Sequence, residues 1–269
     1  MTTLTARPDF LTPEHAARFA DAGVAEAYPH RPAYAPEIVD VLVGLIVGEP
    51  RRAAVLDVGA GTGDLARPLA RRVGRVDALD PSELMIAKGR TLPGGDAAGL
   101  RWLDGRAEDA PLDGPYGLVT AGESLHWMAW DVVLPRLERV MVDGAVVAIV
   151  NREWIDPPWQ EGLRPLIEAH STMTNWHTYD LIGLLEERGL FERVGAHDSQ
   201  PERARQAICD YVESFHSRSS LTRAAMSPES AAAFDDGLRA LVAPWAVDGA
   251  IETETVSHIT WGYPRGGQA

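Results

Sequence analysis

Apolar positions along the chain follow two rhythms. Between residues 37 and 49, Ile38, Val41, Leu42, Leu45 and Ile46 recur at helical spacing. Short apolar runs then appear near 54–58, 75–79, 100–103, 117–121 and 145–150, with helical patterns between them. Strands alternating with helices predict βαβ units and a parallel sheet. Toward the end, Phe191–His197 and Thr253–Trp261 read as a closing antiparallel hairpin. Residues 1–36 read as an N-terminal lid segment with a helix around Ala16–Ala25, and residues 37–269 as the main domain.

Two stretches break the alternation. Residues 151–180 gather Trp154, Trp159, His170, Trp176, His177 and Tyr179 among Pro157, Pro158 and Pro165, and residues 201–248 read as a second helical stretch. Both insertions fall at the edge where ligands bind in open α/β sheets. They are expected to form a partial lid over an acceptor, with Trp154, Trp176 and His177 as substrate-contact candidates. The alternative is that these aromatics fill a satellite core. His170 and His177, seven apart, are placed on one helix face; no third ligand follows at a recognisable spacing, so no metal is expected.

Composition narrows the partners. At 269 residues the chain suits one large domain, or a core with a smaller cap. Its formal net charge is −14, and its basic residues are scattered. Nucleic acid calls for a positive face, and an acidic surface does not favour anionic membranes, so neither is expected as a partner. No apolar run approaches bilayer length. Met1–Pro8 lacks a basic start followed by an apolar stretch, so no secretory signal is expected. The lone Cys209 excludes an internal disulfide and fits a reducing cytoplasm. The tail, residues 266–269, reads as disordered. Oligomeric state is not legible.

The densest chemical signal is Val55-Leu56-Asp57-Val58-Gly59-Ala60-Gly61-Thr62-Gly63-Asp64-Leu65. It reads as a strand, a tight turn and a helix start. Glycines permit positive φ and close backbone approach to a ligand. Their spacing, 2 and 2, departs from the dinucleotide fingerprint. An acid before the first glycine would repel a pyrophosphate; Asp57 suits an ammonium instead. A nicotinamide-dependent oxidoreductase is disfavoured on these grounds, and no P-loop is present. A second strand ends at Asp80, 23 residues after Asp57. An acid there can accept ribose hydroxyls; alternatively it caps the next helix, with Pro81 at the first position.

Together with Gly105–Leu112, Leu118–Ala121 and Val140–Ile149, these motifs make residues 55–150 resemble a class I methyltransferase using S-adenosyl-L-methionine (SAM). The flanks Tyr28–Tyr34, Glu123–Trp127 and Ser217–Ser220 resemble the branch of trans-aconitate and farnesoic-acid-type small-molecule methyltransferases. The resemblance implies a Rossmann-like α/β fold: a seven-stranded sheet with helices on both faces and a small helical cap.

It also implies roles. Gly59, Ala60 and Gly61 hold the methionine part of SAM, with Asp57 near its ammonium. Asp80, followed by Pro81, takes the ribose hydroxyls. Ala107, through its N–H, and Glu108 meet the adenine edge; Arg106 departs from the acid often found there. Gly122 lies by the sulfonium. Tyr28 and Arg31 match an N-terminal Y-x-x-R-P pattern, and Arg31 either grips the SAM carboxylate or forms a surface ion pair. His126 and Trp127 face the acceptor, His126 as the catalytic candidate. The activity implied is methyl transfer to a small organic molecule, on oxygen, with a carboxylate favoured. The alternatives are carbon or nitrogen methylation, or SAM binding without methyl transfer.

Overall fold

The computed structural model describes residues 8–266. The expectation about the tail beyond Gly266 therefore lies almost wholly outside the described residues. Five parallel strands form the core: β1 (Ala54–Val58), β2 (Arg75–Asp80), β3 (Leu100–Asp104), β4 (Leu118–Gly122) and β5 (Val147–Trp154). β6 (Phe191–Asp198), β7 (Glu202–Ala207) and the 15-residue β8 (Ala250–Pro264) complete the sheet. The order is β3-β2-β1-β4-β5-β8-β6. β8 runs antiparallel to β5 on one edge; its other edge takes β7 along Ala250–Thr255 and β6 along His258–Pro264. The sheet thus has eight strands where seven were expected. The added one is β7, inside the stretch read as helical.

Side chains alternate across the strands as the pleat requires. Leu56, Val58, Val119, Val147 and Ile149 pack with Val133, Leu134 and Leu137 of α6 (Trp130–Val140) and Leu185 of α8 (Leu181–Glu187). Val55, Leu118, Ala148 and Val150 pack on the other face, with Ile38 and Leu42 of α3 (Pro36–Gly44) and Leu69 of α4 (Ala66–Leu69). A third core joins α7 (Gln160–His170), α9 (Ile208–His216) and α10 (Pro228–Val242) around Trp159, Tyr211, Phe215 and Phe234. The two insertions therefore form one helical cap.

The N-terminal segment differs from the single helix expected. α1 (Pro13–Ala17) and α2 (Ala22–Ala27) are separated at Asp21, whose carboxylate accepts from Gly23 N–H and caps α2. Val24 and Ala25 pack on Met85 of α5 (Glu83–Thr91), which places this segment over the end of β2. α7 ends at His170, so His177 does not share its face.

Candidate functional site

The strand order reverses between β1 and β4, the position where open α/β sheets bind ligands. The glycine turn leaves β1 there. Gly59 (φ 65°) and Gly61 (φ 56°) occupy the left-handed region. A Cβ on Gly59 would lie 2.5 Å from Ser124 Cβ, so the turn is pressed against the residues following β4. A Cβ on Gly61 would instead stand 3.6 Å from the Tyr28 ring. Asp80 fixes the turn. Its Oδ2 accepts from Gly61 N–H at 2.7 Å and its Oδ1 from Ser82 N–H at 2.9 Å. Burial pushes this carboxyl up to about 6, against the pull of those two N–H groups. Ser82, not Asp80, caps α5, and Pro81 precedes the cap.

Asp57 is 2% exposed, and its Oδ1 accepts from Thr120 Oγ1 of β4 at 2.7 Å. Burial pushes its carboxyl up to about 7. It lines a small cavity with Tyr28, Tyr34, Gly59, Ala60, Asp64, Leu65, Gly122 and Arg152. Four of the residues anticipated from sequence thus meet at one cavity besides Asp57: Tyr28, Gly59, Ala60 and Gly122. A larger open cleft of about 800 Å³ lies along β3, lined by Trp102, Arg101 and Asp113. Its Arg101 is committed to the buried Asp77 at 2.7 and 2.8 Å, so the smaller cavity at the strand switch is the better candidate.

Charge surrounds that cavity. Glu123 (φ 48°) follows β4 and accepts from Arg31 Nη1 at 3.2 Å and Arg152 Nη2 at 3.3 Å. Burial disfavours its ionised form, but Arg152, Arg31 and then His126 outweigh that and hold it below the usual range. Arg152, whose side chain is 5% exposed, also reaches Asp64 Oδ2 at 3.4 Å and the Pro32 carbonyl. Its guanidinium stacks on Tyr34 at 4.4 Å, as Arg31 stacks on Tyr28 at 4.3 Å. Burial raises the pKa of both tyrosines. Arg31 is also held by Ser217, through Oγ at 2.7 Å and its carbonyl at 2.8 Å.

The remaining candidates are spread more widely. His126 and Trp127 sit on a 3₁₀ turn just after β4, with Trp127 against Phe19 at 5.6 Å. Ala107 is buried and its carbonyl accepts from Arg136; Glu108 accepts from Ala129 N–H at 2.9 Å. Trp154 ends β5 and packs on Tyr211 and Phe215, 5.3 and 5.2 Å away. Trp176 is 65% exposed, and His177 packs its ring on Phe10 at 5.0 Å; neither meets the cavity. Sequence reasoning did not single out Arg152, Asp64 and Tyr34, which line the cavity. The only signal for Arg152 was a charge directly continuing the apolar run of β5.

Residues 55–144 match a protein family described as a methyltransferase domain. An uncharacterized methyltransferase of Mycobacterium tuberculosis is 35% identical over 122 residues, 45% of this chain and 46% of that protein. The match therefore spans about half the length of this curated relative. Among solved structures, an Anaeromyxobacter dehalogenans protein provisionally described as a type II methyltransferase superposes with a TM-score of 0.63. It is 22% identical, over 87% of this chain and 99% of that one. A SAM-dependent methyltransferase of Thiobacillus denitrificans, crystallised with S-adenosyl-L-homocysteine, is 16% identical with a TM-score of 0.51, over 90% and 97%. The structural likenesses establish the Rossmann-like methyltransferase fold. The domain match and the methyltransferase relatives support a SAM-dependent methyltransferase. Among the described residues, no helix is long and apolar enough to cross a membrane.

The donor set fits SAM: a buried acid for an ammonium, guanidiniums for a carboxylate, and a second acid at the end of β2 for a diol. The enclosed space is about 10 Å³, roughly the room of one water.

Proposed function

We propose that this chain binds SAM at the β1/β4 switch point and transfers its methyl group to an oxygen of a small organic acid. The observation that carries the reading is the D-x-G-x-G-x-G turn, held by Asp80 and floored by Asp57. SAM supplies a sulfonium-activated methyl; the protein's work is alignment and exclusion of water, which together can supply roughly 7–11 kcal/mol. Asp57 holds the ammonium. Arg31, already placed by Ser217, holds the carboxylate. Asp80 keeps two lone-pair directions beyond its N–H partners for the ribose hydroxyls. Ala107 and Glu108 border the adenine. Gly122 lies by the sulfonium, at a position too tight for a side chain: a Cβ there would stand 2.8 Å from the Tyr34 hydroxyl. The N-terminal segment, with Tyr28, closes over the turn.

The carboxylate acceptor rests on the flanking motifs shared with the trans-aconitate and farnesoic-acid-type branch. A carboxylate is ionised at neutral pH and needs no base. His126, beside Glu123, then positions the acceptor. His126→Gln should cost little turnover with an acid acceptor, against roughly 10²–10⁴-fold with a hydroxyl acceptor that must lose a proton. The deciding experiment is calorimetry with S-adenosyl-L-homocysteine and with NAD, followed by incubation with SAM and a panel of acids and phenols. Homocysteine-nucleoside release with a base-labile methyl ester as product is expected. Binding of NAD alone would overturn the cofactor, and a base-stable ether would overturn the carboxylate.

A further inference from the structure

Arg218 is the one guanidinium of this cluster that makes no ion pair among the described residues. It lies on the turn after α9, directly following Ser217, which holds Arg31. Its guanidinium carbon stacks 4.9 Å from the Trp154 ring and 4.4 Å from Phe215. Arg31 and Arg152 are close enough to act on its charge, as are Tyr211 and Glu123. Glu123 is already shared by Arg31 and Arg152, and Asp64 by Arg67 and Arg152. Three guanidiniums therefore divide two carboxylates and leave Arg218 over, in a chain whose net charge is −14.

Arg218 is half-buried, and a partly desolvated guanidinium without an anion is unfavourable. Burial, then Arg31, push the Arg218 pKa down to about 10, still well above neutrality. The charge persists without a protein carboxylate to meet it. A second donor beside it is also unmet: Trp154 Nε1, on the ring under Arg218, is buried with no hydrogen-bond partner among the described residues. A cation with a planar donor fork and an indole N–H on one aromatic platform suit a carboxylate, which accepts several hydrogen bonds at once. The half-buried Trp154 ring, itself packed on the buried Phe215, provides apolar surface beside the charge for the rest of such a molecule.

We propose that Arg218 is the acceptor-anchoring residue, binding the carboxylate of a small organic acid over the Trp154–Phe215 platform. This rests on the methyltransferase reading and names the residue that selects its substrate class. Arg218 does not touch the methyl donor; it sets which molecules are presented to it.

The test uses the full chain saturated with S-adenosyl-L-homocysteine. Benzoate, hexanoate and tricarballylate are titrated in by calorimetry, with benzamide and hexanamide as uncharged counterparts. The wild type should bind at least one acid and neither amide. R218M retains an apolar stem over Trp154 and Phe215 but not the charge; it should lose at least tenfold in acid affinity while its S-adenosyl-L-homocysteine affinity stays within twofold. R218K retains the charge without the planar fork; it should lose severalfold while still preferring acid to amide, and it decides the matter if R218M does not fold. Acid affinity unchanged in R218M, or in R218K where R218M is unfolded, overturns the proposal. So does a wild type that binds no acid at millimolar concentration, or that binds hexyl phosphate in preference to hexanoate. Failure of the wild type to bind S-adenosyl-L-homocysteine overturns the cofactor assignment instead; the same acid titration of the unloaded protein then still reads Arg218.

Discussion

Asp57 makes cofactor affinity a function of pH. Its folded pKa of about 7 lies about three units above the unfolded value, because the carboxyl is buried. In the ligand-free protein the folded state therefore holds a proton that the unfolded state releases between about pH 4 and 7, and stability falls as pH rises through that window. Three units correspond to about 4 kcal/mol at 1.36 kcal/mol per unit. The near-complete burial of Asp57 argues against a large discount for solvent screening. A ligand ammonium reverses the preference, because it favours the carboxylate. From pH 6 to 7.5 the ionised fraction of a group with pKa 7 rises from about a tenth to about three quarters, so affinity should rise about eightfold. Asp80, at about 6, adds about a further twofold over the same range. The assay is calorimetry with S-adenosyl-L-homocysteine in buffers of different ionisation enthalpy, which also counts the proton released near pH 6.5. Asp57→Asn should leave only the twofold remainder, weaken binding at pH 7.5, and melt higher than the ligand-free wild type at pH 8 but not at pH 4. An affinity independent of pH from 6 to 7.5, or a full slope retained in Asp57→Asn, would refute the reasoning.

Three further outcomes are expected. Asp80→Ala removes the acceptor for Gly61 and Ser82 N–H groups, each worth about 1.5–3 kcal/mol to a charged partner; S-adenosyl-L-homocysteine affinity should fall at least tenfold, and hydrogen exchange at Gly61 should rise. Gly59→Ala sets a Cβ into Ser124 and forces a left-handed alanine, so a melting curve should show a loss of about 1–3 kcal/mol together with weakened cofactor binding. Trp154→Ala strips a ring from the cap core and should cost about 2–4 kcal/mol, whereas the exposed Trp176→Ala should stay within about 0.5 kcal/mol by chemical denaturation; equal losses in the two would contradict the packing described.

The parallel core was legible because β1 to β4 are short apolar runs closed by an acid or a glycine. The expected limits of β1 through β4 fall within a residue or two of those observed. β7 was not legible: Glu202-Arg203-Ala204-Arg205-Gln206-Ala207 carries no alternation of apolar and polar residues, and it is extended because the free edge of β8 accepts it. The broken N-terminal helix turned on Asp21, a residue that reads equally as a helix interior or a cap. At the site, the glycine turn, Asp57 and Asp80 were readable because they lie within one βαβ unit. Arg152, Glu123, Arg31 and Ser217 come from β5, the residue after β4, the N-terminal segment and the cap. Only the folded chain brings those four together, and no spacing in the sequence encodes their meeting.

Among the described residues, β8 follows β6, β7 and β5 in the chain and is the partner that β6, β7 and the outer edge of β5 share. During synthesis these three strands emerge before the segment that pairs them. Until Ala250–Pro264 leaves the ribosome, β5 presents an open edge, and the cap core of α7, α9 and α10 lacks Ile251. A nascent chain stalled before residue 250 would display unpaired strand edges, the surfaces that recruit chaperones or seed aggregation. Completion of the sheet thus waits on β8, and the barrier to reaching the native state is set by pairings between segments about 43 to 115 residues apart, from Ala207 with Ala250 to Val147 with Gly262.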